Sequence, residues 1–233
     1  MLFNMEKDKR KKLVLFDIDN TLLVGNRAHW TAYQNAFKKV FDVILPEDFP
    51  PWSGYTELKI IYSLMDMYHI ERDEEKANEI VGVMIDEFLK QDQTGTRILP
   101  GVERLLYELK DDEDMIIGLV TGNIEDIAYS KLKHLKIDEY FVLGGFGEIS
   151  EIRSDLVHDA IRKAEGRFGK IDKKDVFIIG DTIHDIRAAK EAGVKVIAVA
   201  TGHQNLSELK GYDPDFLFES LDDEKVLEVI KHG

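Results

Sequence analysis

Short apolar runs recur along the chain, and most are followed by a stretch with apolar residues three and four positions apart. The runs LVLFDI (13–18), MIIGLVT (115–121), YFVLGG (140–145), VFIIGD (176–181), VKVIAVA (194–200) and DFLFES (215–220) are rich in β-branched or aromatic residues. They read as buried strands. Segments 102–110, 124–135, 154–168, 183–192 and 222–231 read as amphipathic helices, with Leu156, Ala160, Ile161 and Ala164 marking one apolar face. The alternation predicts an α/β fold: a Rossmann-like parallel sheet core with helices on both faces. Gly193 is placed to end a helix and Pro100-Gly101 to begin one. In such a sheet, right-handed crossovers align the carboxyl ends of the strands along one edge, where ligands bind.

One segment breaks this rhythm. Residues 26–94 carry helical patterns at 30–41, 57–68 and 74–90 and no convincing strand, with PEDFPPWSGY (46–55) interrupting them. This predicts a small all-helical domain inserted after the first strand, with residues 1–25 and 95–233 forming the core. Gly25-Asn26 and DQTGT (92–96) are the expected hinges. A helical layer packed flat on the sheet is the alternative.

Charge and composition narrow the function classes. The chain of 233 residues carries 45 acidic and 31 basic residues, a net charge of −14. That opposes nucleic-acid binding and docking on anionic membranes. It still permits a phosphorylated ligand where a cation and local donors reverse the field. The chain has no cysteine, so thiolate metal sites and thiol nucleophiles are excluded, and a reducing cytoplasm is the expected compartment. No apolar run reaches a membrane span, and the N-terminal MLFNMEKDKRKK reads as a solvated lead-in rather than a secretory signal.

The candidate chemistry sits where strands end. Asp17 and Asp19 interrupt an otherwise apolar stretch, and burying unpaired carboxylates is costly. A calcium loop starting at Asp17 would need glycine and glutamate where Leu22 and Ala28 stand. A second acidic pair, Asp181 and Asp185, follows the run 176–180. Taken singly, Asp181 suits a helix N-cap and Asp185 a helix first turn. Thr121, Gly122 and Asn123 offer a hydroxyl and backbone donors before a helix, suited to an anion. Arg153 is a lone cation at the start of another helix. Three strand ends thus deliver acids and a hydroxyl to one edge. Clustered carboxylates suit Mg²⁺, and the remaining donors suit phosphate oxygens.

With these elements in order, the chain resembles the haloacid dehalogenase superfamily of phosphohydrolases. DIDNT (17–21), Thr121 in LVTGN, Arg153 and GDTIHD (180–185) look like its four motifs. The insert is similar to the helical cap of the subclass with phosphoglycolate phosphatases and β-phosphoglucomutases. The resemblance implies that Asp17 attacks phosphorus and forms an aspartyl-phosphate, while Asp19 acts as general acid and base. It implies Mg²⁺ held by Asp17, the Asp19 carbonyl, Asp181 and Asp185, and phosphoryl oxygens held by Thr121, Gly122, Asn123 through its backbone, and Arg153.

Two positions depart from the pattern. The third motif is usually lysine, and Arg153 fits it better than Lys163 or Lys170. Asn20 stands where many members have glycine, and asparagine tolerates a left-handed turn. An acid at Asp19 also separates the chain from true dehalogenases, whose halide leaving group needs no proton.

The expected activity is therefore hydrolysis of small phosphate monoesters. A phosphosugar mutase and a non-catalytic binding module on the same fold are the rivals. The expected partner is a small phosphorylated metabolite, with the protein a monomer or homodimer. Gly54, Tyr55 and Thr56 in the insert are the candidates for substrate choice, with His29 near the first hinge. Trp30 and Trp52 fit either that role or the core of the insert. His158, His184 and His203 show no metal spacing and are expected at the surface.

Overall fold

The computed structural model describes residues 11–48 and 52–233. Most of the charged N-terminal lead-in, and residues 49–51 of the proline-rich stretch, lie outside the described residues.

The chain opens with strand β1 (Lys12–Phe16) and the two-residue β2 (Leu23–Val24). Helices α1 (Ala28–Phe41), α2 (Glu57–Met67) and α3 (Glu74–Phe88) follow, then β3 (Arg97–Ile98). Next come α4 (Val102–Lys110), β4 (Met115–Val120), α5 (Glu125–His134), β5 (Gly144–Gly145) and α6 (Arg153–Phe168). The remainder is β6 (Val176–Gly180), α7 (Ile183–Ala192), β7 (Lys195–Val199), α8 (Leu206–Lys210), β8 (Phe216–Phe218) and α9 (Lys225–His232).

Six strands form a parallel sheet in the order β5-β4-β1-β6-β7-β8. Side chains alternate across it, so β1 sends Val14 and Phe16 to one face and Leu13 and Leu15 to the other, all fully buried. The first face packs against Leu105 and Leu109 of α4, Ala128 and Leu132 of α5, and Val226 and Ile230 of α9. The second packs against Leu156 and Ala160 of α6 and Ile186 and Ala189 of α7. Each Val, Leu, Ile and Phe among them contributes about 1.5–3 kcal/mol by leaving water, so these two layers dominate the stability of the α/β unit. At Gly193 the backbone turns left-handed (φ 72°) to end α7, as its position predicts.

Helices α1, α2 and α3 carry a third apolar cluster, with Tyr33, Phe37, Ile61, Leu64, Ile80 and Phe88 buried together. Ile124 and Ile127, at the start of α5, join it, so this segment rests on the sheet unit. The two crossings between the units run side by side. β2 and β3 pair antiparallel, and the Asn26 side-chain amide donates to the carbonyls of Asp92 and Thr94. Glu87 on α3 clasps α1, accepting from Lys39 (2.5 Å) and Asn35 (2.8 Å) as well as from Lys90 (2.9 Å).

Several element bounds differ from the sequence reading. The run 140–145 is regular strand only at Gly144–Gly145. A 3₁₀ turn at Asp138–Tyr140 uses its start, although the Val142 N–H still donates to Ile117. The β2–β3 ribbon was not expected, because two-residue strands carry no periodicity. α6 begins at Arg153 itself, and α8 is an additional short helix capped by Asn205.

The Glu87 clasp gives a pH-dependent stability. Bonds from Lys39 and Lys90 hold its carboxyl at about 2, below the ordinary 4.5. A depressed carboxyl stabilises the fold above the unfolded value and loses that contribution as pH falls through the folded one. Glu87→Gln should therefore lower the thermal midpoint at pH 7. The gap to wild type should close between about pH 4.5 and about pH 2. A gap that is unchanged at pH 2 contradicts the clasp.

Candidate active site

β4, β1 and β6 are neighbours, so the residues just past their ends meet: Thr121, Asp17 and Asp181. Backbone pairing carries past the strands. The Asp17 N–H donates to Ile179 (2.9 Å) and the Thr121 N–H to Gly145 (3.1 Å). Asp185 reaches the same place from the first turn of α7. The alternative of Asp181 as helix cap is corrected by Thr182. The Thr182 hydroxyl accepts from the Asp185 N–H, and the Asp185 carboxylate accepts from the Thr182 N–H (3.1 Å) and hydroxyl (2.6 Å). With α7 capped in this way, the Asp181 carboxylate is left to the cavity.

Asp17, Asp181 and Asp185 are all buried and offer oxygens that lie within 4.8 Å of one another. One cation answers them. Arg153 Nη2 sits 3.1 Å from Asp17 Oδ1 and 2.6 Å from Asp185 Oδ1, while Nη1 donates to the Gly54 carbonyl (3.1 Å). Burial raises the Asp17 carboxyl above its ordinary value despite Arg153, with Asp185 and Asp19 adding to the rise. Asp181 is also raised, by burial and then by Asp17 and Asp185. Asp181 Oδ1 accepts from Thr21, but the buried Oδ2 has no hydrogen-bond partner among the described residues. Three acids facing one guanidinium, with an orphaned buried carboxylate oxygen, fit a hard divalent cation.

Asp19 leaves this cluster. Asn20 takes the left-handed conformation (φ 60°), as the sequence allows, and the Asp19 carboxylate takes partners other than Arg153. There Lys131 donates to both its oxygens (2.9 and 2.7 Å) and Asn123 Nδ2 to one (2.9 Å). Burial would raise the Asp19 carboxyl, but Lys131, with His29 and Asn123, outweighs it and holds the group below its ordinary value. Of the Asp19 oxygens, the backbone carbonyl is thus the one left for a metal. The Asn123 side chain also donates to the Thr121 hydroxyl (2.7 Å), and the Asn123 N–H turns to that hydroxyl rather than into the cavity.

Sequence reasoning missed Lys131. A signal was present: it shares the buried stripe of α5 with Ile127, Ala128 and Leu132, where a lysine is out of place. Glu57 was missed too. It is buried, sits 2.9 Å from His29 Nε2 and accepts from the Tyr33 hydroxyl.

These groups line a cavity of about 440 Å³ between the sheet edge and the helical segment. Gly54, Tyr55, His29, Trp30 and Trp52 all reach it. Thr56 does not: its hydroxyl accepts from the Lys59 N–H as the N-cap of α2. Trp30 belongs mainly to the helical core, its indole N–H donating to Pro46 and Glu47. The loop before α2 presses on the sheet unit, with the Glu57 N–H on Gly122 O (2.9 Å) and the Leu58 N–H on Gly147 O (3.0 Å). A Cβ at Gly122 would stand 2.2 Å from Tyr55 O, so only glycine permits this approach. Lys163 turns away to Gly144 O and Asp159, and Lys170 is exposed. His158 and His203 are exposed, while His184 is half-buried edge-on against Tyr55.

The haloacid dehalogenase-like hydrolase family matches residues 14–199, most of the chain. The chain belongs to this family. Pyrophosphatase PpaX of Bacillus velezensis is 26% identical over 227 residues, covering 93% of this chain and 95% of that protein. A predicted phosphatase from Clostridium acetobutylicum superposes with TM-score 0.72 at 25% identity, over 94% of this chain and 99% of that one. A predicted phosphoglycolate phosphatase from Haemophilus somnus shares the fold, with TM-score 0.67 at 22% identity, over 94% and 97% of the two chains. The chain is thus a hydrolase, and phosphatase is the activity class these relatives support. Among the described residues, no helix is long and apolar enough to cross a membrane.

The placement of the two basic residues predicts their weight. Arg153→Ala should cut phosphatase turnover by about 10²-fold or more, because it leaves Asp17 and Asp185 without their cation. Lys163→Ala should leave turnover within about threefold, since that side chain is held by Gly144 O and Asp159 and does not line the cavity. The reverse order in a p-nitrophenyl phosphate assay contradicts the site as described.

Proposed function

We propose that the chain is a Mg²⁺-dependent phosphatase that hydrolyses small phosphate monoesters through an aspartyl-phosphate on Asp17. The carrying observation is the division of labour between two acids two residues apart. Asp17 lies in the acid cluster beside Arg153, and Asp19 is bound instead by Lys131 and Asn123. A phosphoryl group over Asp17 would have its ester oxygen on the Asp19 side.

In this reading an Asp17 oxygen attacks phosphorus, and the bond from phosphorus to the leaving oxygen breaks. The Asp19 carboxyl, which must first take up a proton against the pull of Lys131, gives that proton to the leaving oxygen, and an alcohol departs. Asp19 then takes a proton from water, whose oxygen attacks phosphorus and releases phosphate, regenerating the Asp17 carboxylate. Arg153 and the Thr121 hydroxyl lie where they can address the nonbridging oxygens. Asp17, Asp181, Asp185 and the Asp19 carbonyl would hold Mg²⁺. When bound, the ion neutralises the charge of nucleophile and phosphate.

The helical segment acts as the cap in this proposal, with Gly54, Tyr55 and His29 facing the leaving group. The names of relatives supply the first substrates to try: pyrophosphate and phosphoglycolate, with sugar phosphates alongside.

Phosphate release from that panel should require Mg²⁺ and stop with chelator. Asp17→Asn should lose at least about 10³-fold. Wild type that releases no phosphate, or Asp17→Asn that keeps full turnover, would falsify the proposal. A ring-phosphate isomer in place of free phosphate assigns the site to a mutase instead.

A further inference from the structure

Lys131 belongs to none of the four motifs, yet it is the most completely engaged side chain at the site. Its ammonium has three protons and no acceptor capacity. It meets both Asp19 oxygens, Asn123 Oδ1 (2.7 Å) and His29 Nδ1 (3.2 Å). The side chain is 5% exposed, whereas that of Asp19 is 39% exposed. An ammonium can only donate, so Lys131 presents a proton to His29 Nδ1, while Nε2 lies 2.9 Å from Glu57 Oε1. Lys131 therefore sits between two units, with Asp19 and Asn123 of the sheet unit on one side and His29 of α1 on the other.

Asp19 itself has little else to fix it. It lies in a turn after β1, its neighbour Asn20 is left-handed, and its carboxylate projects into the cavity. Among the described residues, one bond from Asn123 restrains it apart from Lys131, and Asn123 is in turn held by Lys131. A carboxylate that must reach a leaving oxygen loses effect when it swings by about an ångström.

We propose that Lys131 is a positioning residue for Asp19, holding that carboxylate toward the leaving oxygen through direct bonds and through Asn123. The proposal rests on the reading of Asp19 as general acid. His29 closes the arrangement from α1, so the acid is fully braced only when the helical segment is docked.

The signature of such a role is sensitivity to the leaving group. Proton donation matters for an alkyl phosphate, whose alkoxide is a poor leaving group, and little for p-nitrophenyl phosphate, whose phenolate leaves unaided. The ratio kcat/KM covers steps up to cleavage of the ester, so later hydrolysis of the aspartyl-phosphate does not enter it. Lys131→Met keeps the length and apolar stem of the side chain. It should lower kcat/KM for glycerol 2-phosphate by about 10- to 100-fold, and for p-nitrophenyl phosphate by less than about threefold. Lys131→Arg should recover part of the alkyl activity, because it restores the donor. A fold made less stable lowers both substrates by one factor. Equal losses on both, or no loss on either, overturn the proposal.

Asp19→Asn serves as the reference and should show the same selectivity, more strongly. If Asp19→Asn spares the alkyl ester, the acid role itself has failed. If Asp19→Asn shows the selectivity and Lys131→Met does not, the positioning role alone has failed.

Discussion

Like charges repel most strongly where water is excluded, and Asp17, Asp181 and Asp185 hold three carboxylates in such a place. Nothing in the stability of a parallel sheet calls for this. A hydrophobic replacement at each position would pack as well and would not carry the desolvation cost. The arrangement is tolerable because Arg153 reaches two of the acids from the start of α6, and because Thr182 and Thr21 satisfy further oxygens. Among the described residues, Asp181 Oδ2 remains unanswered, together with a surplus of negative charge. The neighbouring elements are shaped by that requirement: β4, β1 and β6 must end together, α7 must begin two residues after Asp181, and α6 must begin at Arg153.

The same arginine ties the helical segment to the sheet. Its second nitrogen holds the Gly54 carbonyl, while Gly122 and Gly147 accept backbone bonds from the start of α2. The contact is thus made by main-chain groups, whose positions are less free than side chains. Tyr55 and Trp52 are carried on this loop, so that part of the cavity wall is set by how the loop seats. Across the cavity the link is of another kind, an alternation of charged and polar side chains through Asp19, Lys131, His29 and Glu57.

The fold was largely legible because β1, β4, β6 and β7 are continuous apolar runs and the helices between them are amphipathic. The acids at the strand ends stood out for the same reason, being polar where the pattern demanded otherwise. The ends of elements were harder. Thr56 and Thr182 act as helix caps, a role that depends on which backbone N–H lies three residues ahead, and Tyr140 gave way to a 3₁₀ turn. Lys131 and Glu57 were missed for a different reason. A charged residue on an amphipathic helix reads as solvent-facing, and its burial is decided by partners such as Asp19 and His29 that lie distant in sequence.

The paired crossings also bear on how the chain is assembled. Because β2 and β3 run antiparallel and Asn26 staples one crossing to the other, the helical segment leaves and rejoins the sheet unit at a single point. Seen from the sheet, everything between those strands is equivalent to one tight hairpin. Its internal length then adds little to the entropy of bringing β1 beside β4. A segment attached in this way can be lengthened, shortened or exchanged for another over evolutionary time while the register of β1 and the position of Asp17 stay where they are.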